Sequence, residues 1–152
     1  MDRITSSQLP SYVGKQIGIS EWVMIDQERI NQFADVTLDH QFIHIDEEKA
    51  AQTMFGGTIA HGFLTLSMLS RFATTGGMPK IEDVKMGVNY GFEKVRMINP
   101  VKSGKRVRGV FTLLSADEKT PGNWKMVMGV KVEIEGEDKA AMVAEWINLI
   151  QV

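Results

Sequence analysis

The chain has no cysteine. Disulfides, a thiolate nucleophile and cysteine-ligated zinc are thereby excluded. It also lacks any apolar run approaching the roughly 18 residues of a membrane span, and its acidic start, Met1-Asp2-Arg3, has none of the apolar core of a signal peptide. A cytoplasmic location with no membrane partner is the expectation. An excess of basic charge is missing too: the net charge is -2, which argues against nucleic-acid binding as the main role. No internal repeat or low-complexity linker divides the sequence. What it does have is 152 residues, 43% hydrophobic and 24% charged, enough for one real core and too few for two ordinary domains. Residues 1–152 are therefore expected to form a single domain.

Local signals order the chain. Val13 to Met24 reads as a short strand, and Asp26 is suited to cap a helix running through Glu28, Ile30, Phe33 and Ala34. A loop follows. Asp46 starts a second helical piece with Asp46-Glu47-Glu48 in its first turn, ending near Gly56-Gly57. From Ile59 to Phe72 apolar residues recur at helical spacing, and a central helix is expected to start near Ala60. Beyond Gly76-Gly77 and Pro79 come four β-rich stretches: Val84 to Met97, Lys105 to Ala116, Trp124 to Glu135 and Ala140 to Gln151. The last also has helical propensity, but the preceding turn and the alternation at Met142, Ala144 and Trp146 favour a hairpin strand. Periodicity alone gives an α+β domain, with one helix buried against an antiparallel meander.

The residues that carry chemistry lie between Phe33 and Ser70. Asp39 and His44 stand five apart in FADVTLDHQFIH, too irregular for one helical or strand face, so they are expected to converge from a bent loop. An aspartate and a histidine aimed at one point can hold a water and move its protons. Gly62 falls in the first turn of the central helix, in TIAHGF, where backbone N–H groups lack internal acceptors. A glycine there lets a ligand approach the bare backbone, and such a donor can stabilise the oxyanion of a thioester enolate. Base, water and oxyanion donor together describe hydration of an enoyl thioester.

These residues resemble the MaoC-like (R)-specific enoyl-CoA hydratases, whose usual pattern is A-x-x-S-G-D-x-N-P-[IL]-H followed by I-[AV]-H-G-[MF]. Ala34, Thr37, Asp39, Ile43 and His44 match it, whereas Leu38, Gln41 and Phe42 stand where the pattern has Gly, Asn and Pro. The stretches DHQFIHID, FGGTIAHGFLTLS and MGVNYGFEKVRMINPV are similar to the NodN-like branch, in which an aromatic commonly takes the proline position. The resemblance runs from about Val13 to the C-terminus.

It implies a hot-dog fold, an antiparallel sheet wrapped around a long central helix. It also implies a homodimer with acyl-CoA sites near the subunit interface and a reversible hydration of trans-2-enoyl-CoA to (R)-3-hydroxyacyl-CoA. Asp39 and His44 would activate the water, and the Gly62 N–H would hold the thioester oxygen. Gln41 replaces the family's asparagine and keeps a side-chain amide for the active loop. His61 matches the family's His-Gly and is expected to orient the helix start. Ser70 matches a serine that lines the site. No cofactor or metal is implied: the CoA thioester is the substrate, and the histidine spacing fits no common helical ligand pair. A hot-dog thioesterase and a non-catalytic acyl-CoA-binding subunit remain as alternatives.

Other features read more plainly. His40 is expected to be solvent-exposed. Lys94, Arg96, Lys102, Lys105, Arg106 and Arg108 read mainly as a solvated strand face, with one or two free for the CoA phosphates. Trp22, Trp124 and Trp146 read as packing residues.

Overall fold

The computed structural model describes residues 2–152. Strand β1 (Arg3–Ile4) leads into a 3-10 segment, Ser6–Tyr12, and then into β2 (Gln16–Ile19) and β3 (Val23–Ile25). The single strand expected over Val13 to Met24 is thus two. The interruption has a physical cause at Ser20, which is buried and substitutes its own groups for the ladder: Ser20 N donates to Gly109 O at 2.9 Å, and Gly109 N donates to Ser20 Oγ at 2.9 Å.

Asp26 then caps α1 (Gln27–Thr37), its Oδ1 accepting from Arg29 N at 2.9 Å. That satisfies one of the donors left over at a helix start. The next segment, expected as a bent loop, contains a one-turn helix, α2 (Phe42–Ile45), followed by α3 (Glu47–Ala51). Asp46 caps α3 as its sequence position suggests, accepting from Lys49 N at 3.0 Å. The helix stops at Ala51, short of the Gly56-Gly57 pair.

The central helix is two consecutive pieces, α4 (Gly62–Ser67) and α5 (Leu69–Thr75), joined through Met68. Leu64, Met68, Leu69 and Phe72 form its buried stripe, with Phe72 wholly enclosed. Burying that phenyl contributes on the order of 2 kcal/mol. The helix lies so close to the sheet that a Cβ on Gly109 would come within 2.8 Å of Phe72 Cβ, which requires glycine there.

After β4 (Lys80–Ile81), which pairs in parallel with β1, come the long strands β5 (Met86–Met97), β6 (Lys105–Thr120), β7 (Asn123–Ile134) and β8 (Met142–Gln151). Their inward residues alternate along the strands: Val107, Phe111 and Leu113 on β6, then Met126, Met128, Val130 and Val132 on β7. The C-terminal stretch is a strand, as the alternation favours. The order in the sheet is β2-β6-β7-β8-β5, with β3 also on β6, and every pair is antiparallel. This corrects the expected meander in one respect. β5 does not pair with β6, its successor in the chain. It crosses to the far edge and pairs with β8, from Met86 opposite Gln151 to Met97 opposite Met142. The sheet can then wrap both sides of the central helix, which is the hot-dog fold.

Candidate active site

Leu38 ends α1 with φ 60°, the one non-glycine residue with positive φ among the described residues. A left-handed leucine costs roughly 1–2 kcal/mol, and it turns the chain sharply into exposed Asp39. The side chain of Asp39 accepts only a long contact from Gln41 N, 3.4 Å, so its carboxylate remains available. Gln41 precedes the one-turn helix α2, and its carbonyl accepts from His44 N at 3.0 Å. The Gln41 side chain is exposed and forms no hydrogen bond among the described residues.

His44 is buried, 7% exposed. Its Nδ1 lies 2.7 Å from Ile59 O, and a carbonyl can only accept, so Nδ1 carries the hydrogen and Nε2 presents its lone pair. Burial holds the imidazole pKa below its ordinary value; the Ile59 carbonyl opposes this, neighbouring His61 adds to it and Asp39 opposes it. A neutral imidazole with a free Nε2 is the form that can take a proton.

His61 does more than orient a helix start. It is 2% exposed and stacks on His44, ring centroids 3.8 Å apart and planes 25° apart. Its Nε2 donates to the backbone carbonyl of Asp39 at 3.0 Å, and Phe33 packs on it at 5.0 Å. One ligand-type atom from each of Asp39, His44 and His61 lies within 4.8 Å of the others. The sequence separates these three widely, yet the fold brings them together. Such a cluster has the donor types of a metal site. However, an ion lies in the plane of each imidazole it binds, and two nearly parallel stacked rings cannot share one ion without a ring turning.

A brace that sequence reasoning missed supports this cluster. Gln27 Nε2 donates to His44 O at 2.6 Å, and the buried Thr58 hydroxyl lies 2.6 Å from Gln27 Oε1 and 2.8 Å from Glu47 Oε2. The Thr58 contacts hold the Glu47 carboxyl below the usual range. Thr58 directly precedes the IAHG run and was within reach of a sequence reading. Gln27, far away in sequence, gave no signal.

Gly62 is the first residue of α4, so its N–H has no acceptor in a preceding helical turn. It lines a cavity of about 330 Å³ together with His44, Thr65, Met97, Ile98 and Val101. A Cβ at Gly62 would sit 3.2 Å from the Met97 side chain, so glycine keeps this wall open. Thr65 is a further lining residue not singled out from sequence. Ser70 lies elsewhere: it is exposed further along the helix, in a groove with Asn89 and Tyr90. The structure therefore brings together Asp39, His44, His61 and Gly62, and leaves Ser70 apart.

The surrounding charges are now sorted. His40 pairs with Asp35 at 2.9 Å on the surface. Arg106 pairs with Glu135, Arg108 with Glu133 at 2.8 Å and Lys105 with Glu137 at 3.3 Å. Trp22 carries the Arg108 guanidinium 4.5 Å from its ring, while Trp124 and Trp146 are buried. Lys94, Arg96 and Lys102 are exposed and have no carboxylate partner among the described residues.

Comparison with known proteins decides the family. The MaoC-like domain profile matches residues 8–136. The chain belongs to the MaoC-like dehydratase family. Among relatives, it is 48% identical over 152 residues to nodulation protein N of Rhizobium leguminosarum bv. viciae, covering 99% of this chain and 94% of that protein. It is 44% identical over 141 residues to 3-hydroxyacyl-thioester dehydratase Z of Mycobacterium tuberculosis, covering 93% and 92%. Among solved structures, an (R)-hydratase from Pseudomonas aeruginosa superposes with TM-score 0.73 at 24% identity, covering 98% of this chain and 86% of that one. The (R)-hydratase from A. caviae gives 0.70 at 20% identity, covering 89% and 96%. These two likenesses show that the MaoC-like chain shares their fold.

Proposed function

We propose that the protein reversibly hydrates trans-2-enoyl-CoA to (R)-3-hydroxyacyl-CoA. The observation that carries this reading is the meeting of the Asp39 carboxylate with a His44 imidazole whose tautomer is fixed by Ile59 O, beside a cavity floored by Gly62. Asp39 and His44 hold one water. The pair takes one proton from the water as its oxygen bonds to C3 and the C2–C3 π bond breaks, the electron pair moves toward the thioester oxygen, and C2 then receives a proton back from the same pair. The Gly62 N–H donates to the thioester oxygen while enolate charge develops. The proposal needs no metal and no cofactor, and the (R) hand rests on the family resemblance.

Gln41, whose exposed side-chain amide has no partner among the described residues, would be free to meet the substrate, and Ser70 would meet it only beyond the reacting atoms. Lys94, Arg96 and Lys102 are the cations free to meet the CoA phosphates, because the other three basic residues of this region are neutralised. A homodimer is part of the proposal: edge strand β5 leaves Met86, Val88, Tyr90 and Phe92 exposed, an apolar rim with unpaired backbone groups. Light scattering coupled to size exclusion would read twice the chain mass.

Loss of the enoyl-thioester absorbance with crotonyl-CoA and a medium-chain enoyl-CoA tests the reaction, with product hand read by an (R)-specific dehydrogenase. Hydration with (R) product supports the reading. Free thiol from saturated acyl-CoA would replace it with thioester hydrolysis, and tight enoyl-CoA binding without turnover would replace it with a binding role.

A further inference from the structure

Thr65 stands one turn beyond Gly62 on the central helix and lines the same cavity as Gly62 and His44. Its hydroxyl does not follow those of Ser67, Thr74 and Thr75, which each donate to the carbonyl four residues back, at 2.7, 2.9 and 3.1 Å. The matching acceptor for Thr65 is His61 O, which already takes Leu64 N at 3.0 Å and Thr65 N at 3.2 Å. A carbonyl oxygen has two lone pairs, so His61 O is filled. The Thr65 hydroxyl makes no hydrogen bond among the described residues. Thr65 is only 4% exposed, yet its oxygen is not one of the fully enclosed unpaired atoms, which are His61 Nδ1, Trp124 Nε1 and Asn148 Nδ2. An unpaired oxygen that is not enclosed keeps an open face, and the hollow that Thr65 lines is the cavity beside His44.

The other polar side chains of this cavity are spent. His44 Nδ1 is committed to Ile59 O at 2.7 Å, and in that tautomer Nε2 accepts but does not donate. The Asn99 amide donates to Glu137 Oε2 at 2.7 Å and to Lys139 O at 3.4 Å. Phe55, Met97, Ile98, Val101 and Ala141 make the remaining wall largely apolar. Thr65 is therefore the one side chain lining the cavity with a hydrogen left to give. Buried hydroxyls nearly always have a partner, so a free one facing a cavity points to a ligand atom. Helical side chains lean toward the N-terminus, and residues three apart lie one above the other. The Thr65 side chain thus leans over the turn that carries the Gly62 N–H, where no Cβ intervenes.

We infer that the Thr65 hydroxyl is a second hydrogen-bond donor to the thioester oxygen, beside the Gly62 N–H. This rests on the acyl-thioester reading above and adds a catalytic residue to it. The hydroxyl keeps its proton throughout. It donates to the carbonyl oxygen of the bound thioester, and the bond strengthens as that oxygen takes on enolate charge, so its effect is larger in the transition state than in the bound substrate. The low polarity of the surrounding wall raises the worth of such a donor over its worth in water.

The test binds butyryl-CoA, isotopically labelled at its carbonyl carbon and without a double bond to hydrate, to the full chain, to Thr65→Val and to Thr65→Ser. Isotope-edited infrared difference spectra read the carbonyl stretch. The band should move to higher frequency in Thr65→Val and return toward the wild-type position in Thr65→Ser. Valine keeps the size and branching of threonine, so the wall stays filled. Turnover of crotonyl-CoA gives a second reading: Thr65→Val should lower kcat by about tenfold to a hundredfold with little change in KM, and Thr65→Ser should recover most of the loss. If the wild type holds the thioester but does not turn over crotonyl-CoA, the hydration reading fails while the infrared shift still decides the role of Thr65. A wild type showing no bound carbonyl band overturns both. A band that Thr65→Val leaves in place overturns this inference alone, as does an active wild type whose kcat is unchanged in Thr65→Val or falls equally in Thr65→Ser.

Discussion

His61 lies face to face with His44 at 3.8 Å while its Nε2 holds the backbone carbonyl of Asp39 at 3.0 Å, so one buried side chain positions both members of the dyad. His61→Gln should lower kcat by about tenfold to a hundredfold with a smaller change in KM. A merely structural defect would not alter the pH profile, but this substitution should. His61 helps push the His44 pKa down, so its removal should move the acidic limb upward. An unchanged limb would count against the positioning role.

Replacing the dyad itself should be harsher. Asp39→Asn and His44→Ala are each expected to reduce turnover a hundredfold or more while circular dichroism stays native. Asp39 is exposed, so its substitution leaves no cavity in the core. Full hydration activity in both variants would sink the dyad assignment.

The depressed His44 pKa also sets a stability window. Below the ordinary value of 6.5, the unfolded chain protonates this imidazole before the folded chain does. The contribution of neutral His44 is therefore complete above that pH and is lost as pH falls from 6.5 toward the lower folded value. Urea unfolding between about pH 5 and 8 should show this decline in the wild type and a flatter profile in His44→Gln. Direct titration of the His44 ring by NMR should give a midpoint under 6.5; a midpoint above it would reverse the sign.

Leu38 offers a stabilising change. Its φ of 60° suits glycine, and the leucine side chain is 81% exposed, so Leu38→Gly removes left-handed strain and almost no packing. Part of the gain is offset by the greater freedom of glycine in the unfolded chain. A net increase of about 0.5–1 kcal/mol is expected, read as a rise of roughly 2–4 °C in Tm. A lower Tm would show that the leucine makes contacts worth more than its strain.

The features legible in the sequence were the local ones. Asp26 and Asp46 cap their helices because a carboxylate there needs only an N–H three residues on. The inward alternation on β6, β7 and β8 follows from the two-residue period of a strand, and the paired motif around Asp39, His44 and Gly62 could be read against a known family pattern. The sequence alone thus determined an α+β domain with a buried central helix and a water-activating loop.

Tertiary structure decided what depends on long-range packing. β5 pairs with β8 because wrapping the helix requires a strand on its far side, and nothing local in Met86–Met97 records that partner. Ser20 breaks a strand by bonding a glycine 89 residues away. His61 reaches back 22 residues to the Asp39 carbonyl, and Gln27 reaches forward 17 to that of His44. Caps and alternation are set by neighbours along the chain, whereas these contacts exist only once the helix is buried and the sheet has closed around it.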